Sequence, residues 1–223
     1  MSTPAVPSPA ATFDARARLN LNPARWGVRA LAEIAVAVAL AAVLGQVRLF
    51  TMPQGGSVCL EMLPLVFVAV RRGIVPGLAA GGLYGFLQLV LPGAFIYHPV
   101  QAALDYPLAF AAAALAGVVV VRGWRTLGLA VGLGFAARLV PHFLSGLIFF
   151  AEYAPDWEAP WLYALTYNLL YLVPEALLTW VVLWPLLRAY DAAFPGAAAA
   201  SGGRPDGEEA GGRPGGGPGS GAA

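Results

Sequence analysis

The chain consists largely of apolar runs that are long enough to cross a lipid bilayer. Of its 223 residues, 59% are hydrophobic and 11% are charged, whereas soluble domains carry about 25% charged residues. A membrane-spanning helix needs about 20 consecutive, mainly apolar residues. The sequence therefore predicts an all-α integral membrane protein with six transmembrane helices. The apolar runs lie at 28–50, 57–70, 74–92, 98–121, 126–150 and 161–188, and the second is short for a span.

Arginine residues predict the orientation of these helices. Loops on the cytoplasmic side of a membrane carry an excess of basic residues. Here the basic residues cluster at alternate ends of the predicted helices, whereas the 151–160 loop is acidic. We therefore expect both termini in the cytoplasm and the acidic loop outside. The clustered residues are Arg16, Arg18, Arg25, Arg29, Arg71, Arg72, Arg122, Arg125 and Arg188.

Composition divides the chain into three segments. Residues 1–27 form a Pro/Ala-rich cytoplasmic arm that we expect to be largely disordered, and residues 28–190 form the membrane domain. Residues 191–223 are mostly Gly, Ala and Pro, a composition that cannot bury enough apolar surface to fold. The segment TMPQGGS before the second run is expected to line a cavity, since irregular backbone is tolerated at membrane depth only there.

Polar side chains inside the apolar runs indicate a functional site. Asp105, Arg138 and His142 each lie within such a run, where a charge costs about 2.5–3.5 kcal/mol on insertion scales. Residues three, four or seven apart share a helix face. Three helices should therefore present polar stripes to one interior pocket, suited to a small ligand with flat rings and a positive charge. The stripes are Gln101 with Asp105, Arg138 with His142, and Asn168 with Tyr171 and Glu175.

Structural interpretations of the same residues remain open. Asp105 and Arg138 could form a buried ion pair that only fixes helix register, and His142 could be a satisfied interior histidine. Asn168 could join two helices by hydrogen bonds. The acidic residues nearest the ends of their runs are typical of interfacial or structural positions; these are Glu61 and Glu175.

Small residues at four-residue spacing indicate close helix packing. We interpret the glycine stripes as packing faces inside the bundle. The alanine stripe of the first run could instead be a docking face for another membrane subunit. The stripes are Gly77, Gly81 and Gly85; Gly128 and Gly132; and Ala35 and Ala39.

Several classes of function have no support in the sequence. The net charge of +1 argues against a nucleic-acid partner. The chain has two histidines and one cysteine, which argues against a multi-His or multi-Cys metal site and excludes an internal disulfide. Motifs for phosphate loops, zinc proteases and serine hydrolases are missing. The chain should not hydrolyse ATP itself.

Several segments together resemble a known family. The strings MPQGGSVCLEMLP, RRGIVPGLAAGGLYGFLQLVL, HPVQAALDYPLAF and RLVPHFLSGLIFFAEYAP, followed by LYALTYN, resemble the thiamine-specific substrate-binding (S) component of energy-coupling factor (ECF) transporters. The resemblance extends from about Arg29 to Tyr190. It implies a six-helix S-component bundle that binds thiamine near its outer face, in the cell membrane of a prokaryote. It also implies a transmembrane coupling protein and two cytosolic ATPases as partners, no catalysis by this chain, and neither cofactor nor metal.

The resemblance implies roles for individual residues. An ionised Asp105 would offset the thiazolium charge, and Arg138 would either keep Asp105 ionised or contact the ligand's hydroxyl tail. Ala35 and Ala39 would form the coupling-protein contact. Phe150 stands where some members carry tryptophan. The residues that match the thiamine-binding positions are Tyr84, Phe95, Asp105, Tyr106, Arg138, His142, Phe150, Tyr163 and Asn168.

Three other functions remain to be distinguished. The chain could be an S component for another vitamin or for a thiamine precursor. It could be a membrane enzyme in which Asp105 and His142 act as acid and base. It could also be a structural membrane subunit, which would bind no small molecule.

Overall fold

A computed structural model describes residues 27–194, which form six helices, a 3₁₀ turn at Ala151–Tyr153 and one short β-hairpin. The six-helix prediction is confirmed. The predicted disordered arm and tail lie outside the described residues, apart from Gly27 and residues 191–194. The elements are α1 (Val28–Leu44), β1 (Phe50–Thr51), β2 (Ser57–Val58), α2 (Met62–Arg72), α3 (Ile74–Gln88), α4 (Pro99–Val118), α5 (Trp124–Phe149) and α6 (Pro160–Ala193).

Three of the described helices are long and apolar enough to cross a membrane by length and composition. These are α4, α5 and α6, and α3 is a shorter apolar helix. Helices α1 and α2 both contact α3, and α3 in turn contacts α4. The shorter helices therefore pack against the three long ones. The buried side chains that join these helices are mainly aliphatic, as the sequence pattern requires.

The first apolar run does not continue as a helix to residue 50. Helix α1 ends at Leu44, and β1 then pairs antiparallel with β2. The turn between the strands contains Gly55 and Gly56 at φ values of 92° and 89°, a conformation that glycine adopts without steric cost. A Cβ at Gly56 would lie 2.7 Å from the Tyr171 ring. The hairpin turn therefore packs tightly against α6.

Glycines of α3 allow close contact with α4. A Cβ at Gly81 would lie 2.2 Å from the Phe110 carbonyl oxygen, and one at Gly85 would lie 2.5 Å from Pro107 Cα. Both distances are shorter than any carbon side chain could make. The prediction that this glycine stripe packs inside the bundle is confirmed.

The glycines of α5 differ from one another. A Cβ at Gly128 would lie 2.9 Å from the Trp180 ring, whereas one at Gly132 would meet nothing within 4 Å. The interpretation of Gly132 as a packing residue is therefore wrong. Gly134 takes this role, because a Cβ there would lie 2.8 Å from the Ala113 carbonyl oxygen.

Helix α4 is irregular where its polar residues lie. Residues Leu104–Leu108 form a π-helical turn that contains Pro107. Proline lacks the N–H that continues an α-helix, and π-turns are frequent at functional sites. The wider turn carries Asp105 and Tyr106, so it determines how both side chains project from the helix.

Candidate functional site

The predicted polar stripes of α4, α5 and α6 line one cavity, except for Glu175, which lies outside its lining. The β-hairpin turn and the loop at residues 92–98 complete its wall. Eight of the nine residues that match family binding positions line this cavity, which brings together groups from four segments of the chain. They are Phe95, Asp105, Tyr106, Arg138, His142, Phe150, Tyr163 and Asn168.

Asp105 is held by three side chains that carry no fixed positive charge. Gln101 Nε2 and Ser145 Oγ each donate to its Oδ2 at 2.7 Å. His142 Nδ1 lies 3.0 Å from its Oδ1. The helix-face prediction for Gln101 is confirmed, whereas Ser145 was missed although it lies three residues after His142.

Arg138 does not pair with Asp105, so that part of the sequence interpretation is wrong. Its Nη1 donates to Glu175 Oε2 at 2.7 Å, and its Nη2 to Glu61 Oε1 at 3.5 Å. All three side chains are buried, and Arg138 also lies over the Phe110 ring at 4.6 Å. The guanidinium therefore belongs to a buried three-residue ion cluster beside Asp105.

Of the two interpretations of Glu61 and Glu175, the interfacial one is wrong and the structural one agrees with the structure, because both side chains are buried and paired with Arg138. Tyr84 OH donates to Glu61 Oε2 at 2.6 Å, and Gln88 Nε2 donates to the same oxygen at 2.9 Å. Tyr84 is fully buried and is absent from the cavity lining. It therefore acts on the cavity through Glu61, which does line it.

Asn168 joins α5 to α6. Its Nδ2 donates to the carbonyl oxygens of His142 and Ala164, at 3.3 Å and 2.8 Å, and its Oδ1 accepts from Tyr171 OH at 2.8 Å. This geometry supports the helix-joining interpretation. Asn168 also lines the cavity, so a ligand contact stays a prediction.

Two pairs of aromatic rings form part of the cavity wall. Phe95 of the 92–98 loop and Phe150 after α5 have ring centroids 6.0 Å apart. Tyr163 and Tyr167 of α6 have ring centroids 5.8 Å apart. These rings offer flat apolar surfaces on which a planar heterocycle can stack.

Two tyrosine hydroxyls fix the loops of the cavity wall. Tyr106 OH accepts from Phe95 N at 2.6 Å and donates to Phe95 O at 3.3 Å. Tyr167 OH accepts from Gln54 N at 2.9 Å and donates to Gly55 O at 3.0 Å. The 92–98 loop and the hairpin turn are thus each bonded to a helix through backbone atoms.

The ion cluster has the residue types of a metal site but already contains a cation. Within residues 27–194, one ligand atom each from Cys59, Glu61 and Glu175 lies within 4.8 Å of the others. Arg138 donates to both carboxylates. Its guanidinium supplies the positive charge that the carboxylates need.

The alanine face of α1 is not buried by any contact within residues 27–194. Ala35 and Ala39 are exposed, whereas Ile34, Ala37 and Ala41 on the other face are buried. The alanines therefore face away from the bundle, as a docking surface requires.

Comparisons with known proteins agree on one family. Residues 31–195 match the model of the family described as Thiamine transporter protein (Thia_YuaJ). The chain is 37% identical over 177 residues to the thiamine transporter ThiT of Bacillus subtilis strain 168, covering 73% of this chain and 92% of that protein. It is 34% identical over 123 residues to ThiT of Lacticaseibacillus paracasei, covering 48% of this chain and 61% of that protein.

The fold is also similar to a solved structure. ThiT from Listeria monocytogenes superimposes with a TM-score of 0.67 at 26% identity. The match covers 75% of this chain and 97% of that one. The helical bundle, and not only the sequence, is therefore shared.

Proposed function

Because this chain belongs to the thiamine transporter protein (Thia_YuaJ) family, we propose that it is a thiamine-binding S component that captures the vitamin from outside. The relatives are named as transporters, so the chain is a membrane transport protein and not an enzyme. Thiamine would be returned unchanged after binding.

One observation carries the proposed ligand: within residues 27–194, Asp105 lies in an aromatic cavity without an arginine partner. Its three neighbours are an amide, a hydroxyl and an imidazole. In the adjacent cluster, two further carboxyl groups share one guanidinium. A permanent cation such as the thiazolium of thiamine would pair with the Asp105 carboxylate, because opposite charges attract strongly in a region of low dielectric constant.

The rings of the ligand fit the rest of the lining. Thiamine has two flat heterocycles, and the cavity offers the ring pairs Phe95–Phe150 and Tyr163–Tyr167. A cation over an aromatic face gains about 0.5–2 kcal/mol. His142 and Asn168 are the polar groups proposed to bond the aminopyrimidine edge.

We propose that uptake depends on partner subunits. The sequence lacks a phosphate-binding loop, so an ATP-driven cycle needs a transmembrane coupling protein and two cytosolic ATPases. The exposed Ala35 and Ala39 face supports docking of the coupling protein on α1, since small residues let helices approach closely in lipid.

Calorimetric titration of the detergent-purified protein tests the ligand. Tryptophan quenching is a weaker readout because no tryptophan lines the described cavity. We expect saturable binding of thiamine at submicromolar concentration and much weaker binding of the isolated aminopyrimidine. Equal affinity for the pyrimidine would instead indicate a precursor transporter. If mass spectrometry showed that thiamine is converted to another compound during incubation, the chain would be an enzyme.

A further inference from the structure

A second polar pocket lies at the other end of the bundle, where α2, the α4–α5 loop and the last turns of α6 meet. Four arginines and one acid line it, together with apolar groups. The arginine bias of this end predicts that it faces the cytoplasm. The charged lining residues are Arg71, Arg72, Arg122, Arg188 and Asp191.

Two of these arginines are neutralised and two are not. Arg71 Nη1 pairs with Asp191 Oδ1, and Arg72 Nη2 lies 2.6 Å from Glu33 Oε1. Within residues 27–194, neither Arg122 nor Arg188 forms an ion pair with a carboxylate. The pocket thus presents two guanidinium groups for an anion, and guanidinium groups match phosphate geometry well.

Tryptophans place this pocket at the depth of the membrane surface. Trp124 stacks on Trp180 with ring centroids 4.4 Å apart, and it contacts Trp184 edge-on at 6.1 Å. Tryptophan is enriched where the hydrocarbon core meets the headgroup region. An anion bound beside Trp184, which itself lines the pocket, would therefore lie among lipid headgroups.

An apolar groove on the outside of the bundle ends at Trp180, one helical turn before Trp184 of the pocket. Helices α5 and α6 line it, with Trp180 at one end and Leu169 at the other, and Gly132 leaves open space in it. Trp180 and Trp184 are four residues apart, so they share one face of α6. The groove and the basic pocket are therefore successive stretches of the same helix face.

We propose that this surface binds one anionic phospholipid. Its phosphate would lie between Arg122 and Arg188, and an acyl chain would lie in the groove beside Gly132. The charge of the pocket selects the headgroup, since each arginine near the surface attracts anionic lipid. The apolar groove then favours a lipid over a soluble phosphate, because only a lipid fills both parts.

Native mass spectrometry of the full chain from mixed micelles tests the headgroup. Phosphatidylglycerol and phosphatidylcholine with identical acyl chains are the two probes. We expect preferential retention of phosphatidylglycerol, lowered about tenfold in the double variant Arg122→Gln/Arg188→Gln. Arg125→Gln is the matched control, because it removes a charge from an exposed arginine at the same end that does not line the pocket. Equal losses in the variant and the control would overturn the proposal.

A second pair of variants tests the groove. Gly132→Leu fills the groove, whereas Gly82→Leu adds the same side chain where Cβ also has open space on α3. We expect lipid retention to fall at least threefold in the first variant only. Inorganic pyrophosphate that binds as tightly as phosphatidylglycerol would assign the pocket to a soluble anion and overturn the lipid assignment. Unchanged lipid retention in Gly132→Leu, together with lost binding of a co-reconstituted coupling subunit, would also overturn the lipid assignment.

Discussion

Arg138 donates to Glu175 across a distance of 2.7 Å, and this contact leaves the nearby Asp105 without a guanidinium partner. The bundle thus separates two carboxylate sites of different character. Glu61 and Arg138 also line the cavity, but the Glu61–Arg138–Glu175 cluster is internally paired, whereas neutral donors hold Asp105. The first site stabilises the fold, and the second is available to a cation.

Removal of the guanidinium should destabilise the bundle. We expect Arg138→Met to lower the free energy of unfolding in detergent by about 3–5 kcal/mol, because it leaves buried carboxylates unpaired. Thermal unfolding of the purified protein measures the change. Arg125→Met is the control and should change stability by about 0.5 kcal/mol or less, since Arg125 is exposed.

The same cluster predicts a compensating variant. The double variant Arg138→Met/Glu175→Leu removes the guanidinium together with one of the carboxylates that it paired with. It should therefore recover part of the stability that Arg138→Met loses. A double variant as unstable as the sum of both single variants would contradict the pairing seen between these residues.

Close packing of α3 on α4 predicts a sharp difference between neighbouring glycines. Gly81→Ala should destabilise the protein by about 1–3 kcal/mol, because its Cβ would lie 2.2 Å from the Phe110 carbonyl oxygen. Gly82→Ala has open space and should be neutral or stabilising, since alanine is the better helix former. Similar unfolding temperatures for the two variants would contradict the close contact.

The Tyr167 hydroxyl should control how firmly the hairpin turn closes the cavity wall. Tyr167→Phe removes the bonds to Gln54 N and Gly55 O. We expect faster hydrogen exchange at the Gln54 amide and ligand release accelerated by about three- to tenfold. Tyr153→Phe is the control, because Tyr153 is exposed and lies outside the cavity lining. Unchanged exchange in Tyr167→Phe would show that other contacts hold the turn.

Docking of a coupling protein on α1 predicts a separation of binding from uptake. Ala35→Leu/Ala39→Leu enlarges an exposed face, so thiamine affinity should be unchanged while uptake into vesicles that contain the partner subunits falls about tenfold or more. Ala103→Leu/Ala189→Leu alters two exposed alanines on other helices and should retain uptake. Equal uptake in both double variants would show that α1 does not form the interface with the coupling protein.

Sequence patterns were sufficient for the helix number and for the meeting of Asp105, His142 and Asn168 in one cavity, since both follow from hydropathy and from three- and four-residue spacing. They did not indicate the partner of Glu61, because its position near the end of a run is typical of an interfacial acid as well as of a structural one. Glu61 meets Arg138 through a hydrogen bond between residues that are 77 positions apart in the sequence. Tertiary packing of this range leaves no local signal.

The end of α1 was mispredicted for a different reason. Val47, Leu49 and Phe50 are as compatible with a strand as with a helix, so hydropathy alone extends the helix. The adjacent Gly55–Gly56 pair is a turn signal, and it could have indicated the hairpin.

Binding of thiamine to Asp105→Asn tests the central claim most directly. The amide keeps the shape of the side chain and removes its charge, and calorimetry gives the dissociation constant. We expect the wild type to bind thiamine at submicromolar concentration and Asp105→Asn to bind on the order of tenfold more weakly or worse, a loss of about 1.4 kcal/mol. Asp156→Asn in the exposed loop should retain wild-type affinity within about twofold. Equal affinity in all three folded proteins would contradict the role of Asp105, and no thiamine binding by the folded wild type would contradict the function itself.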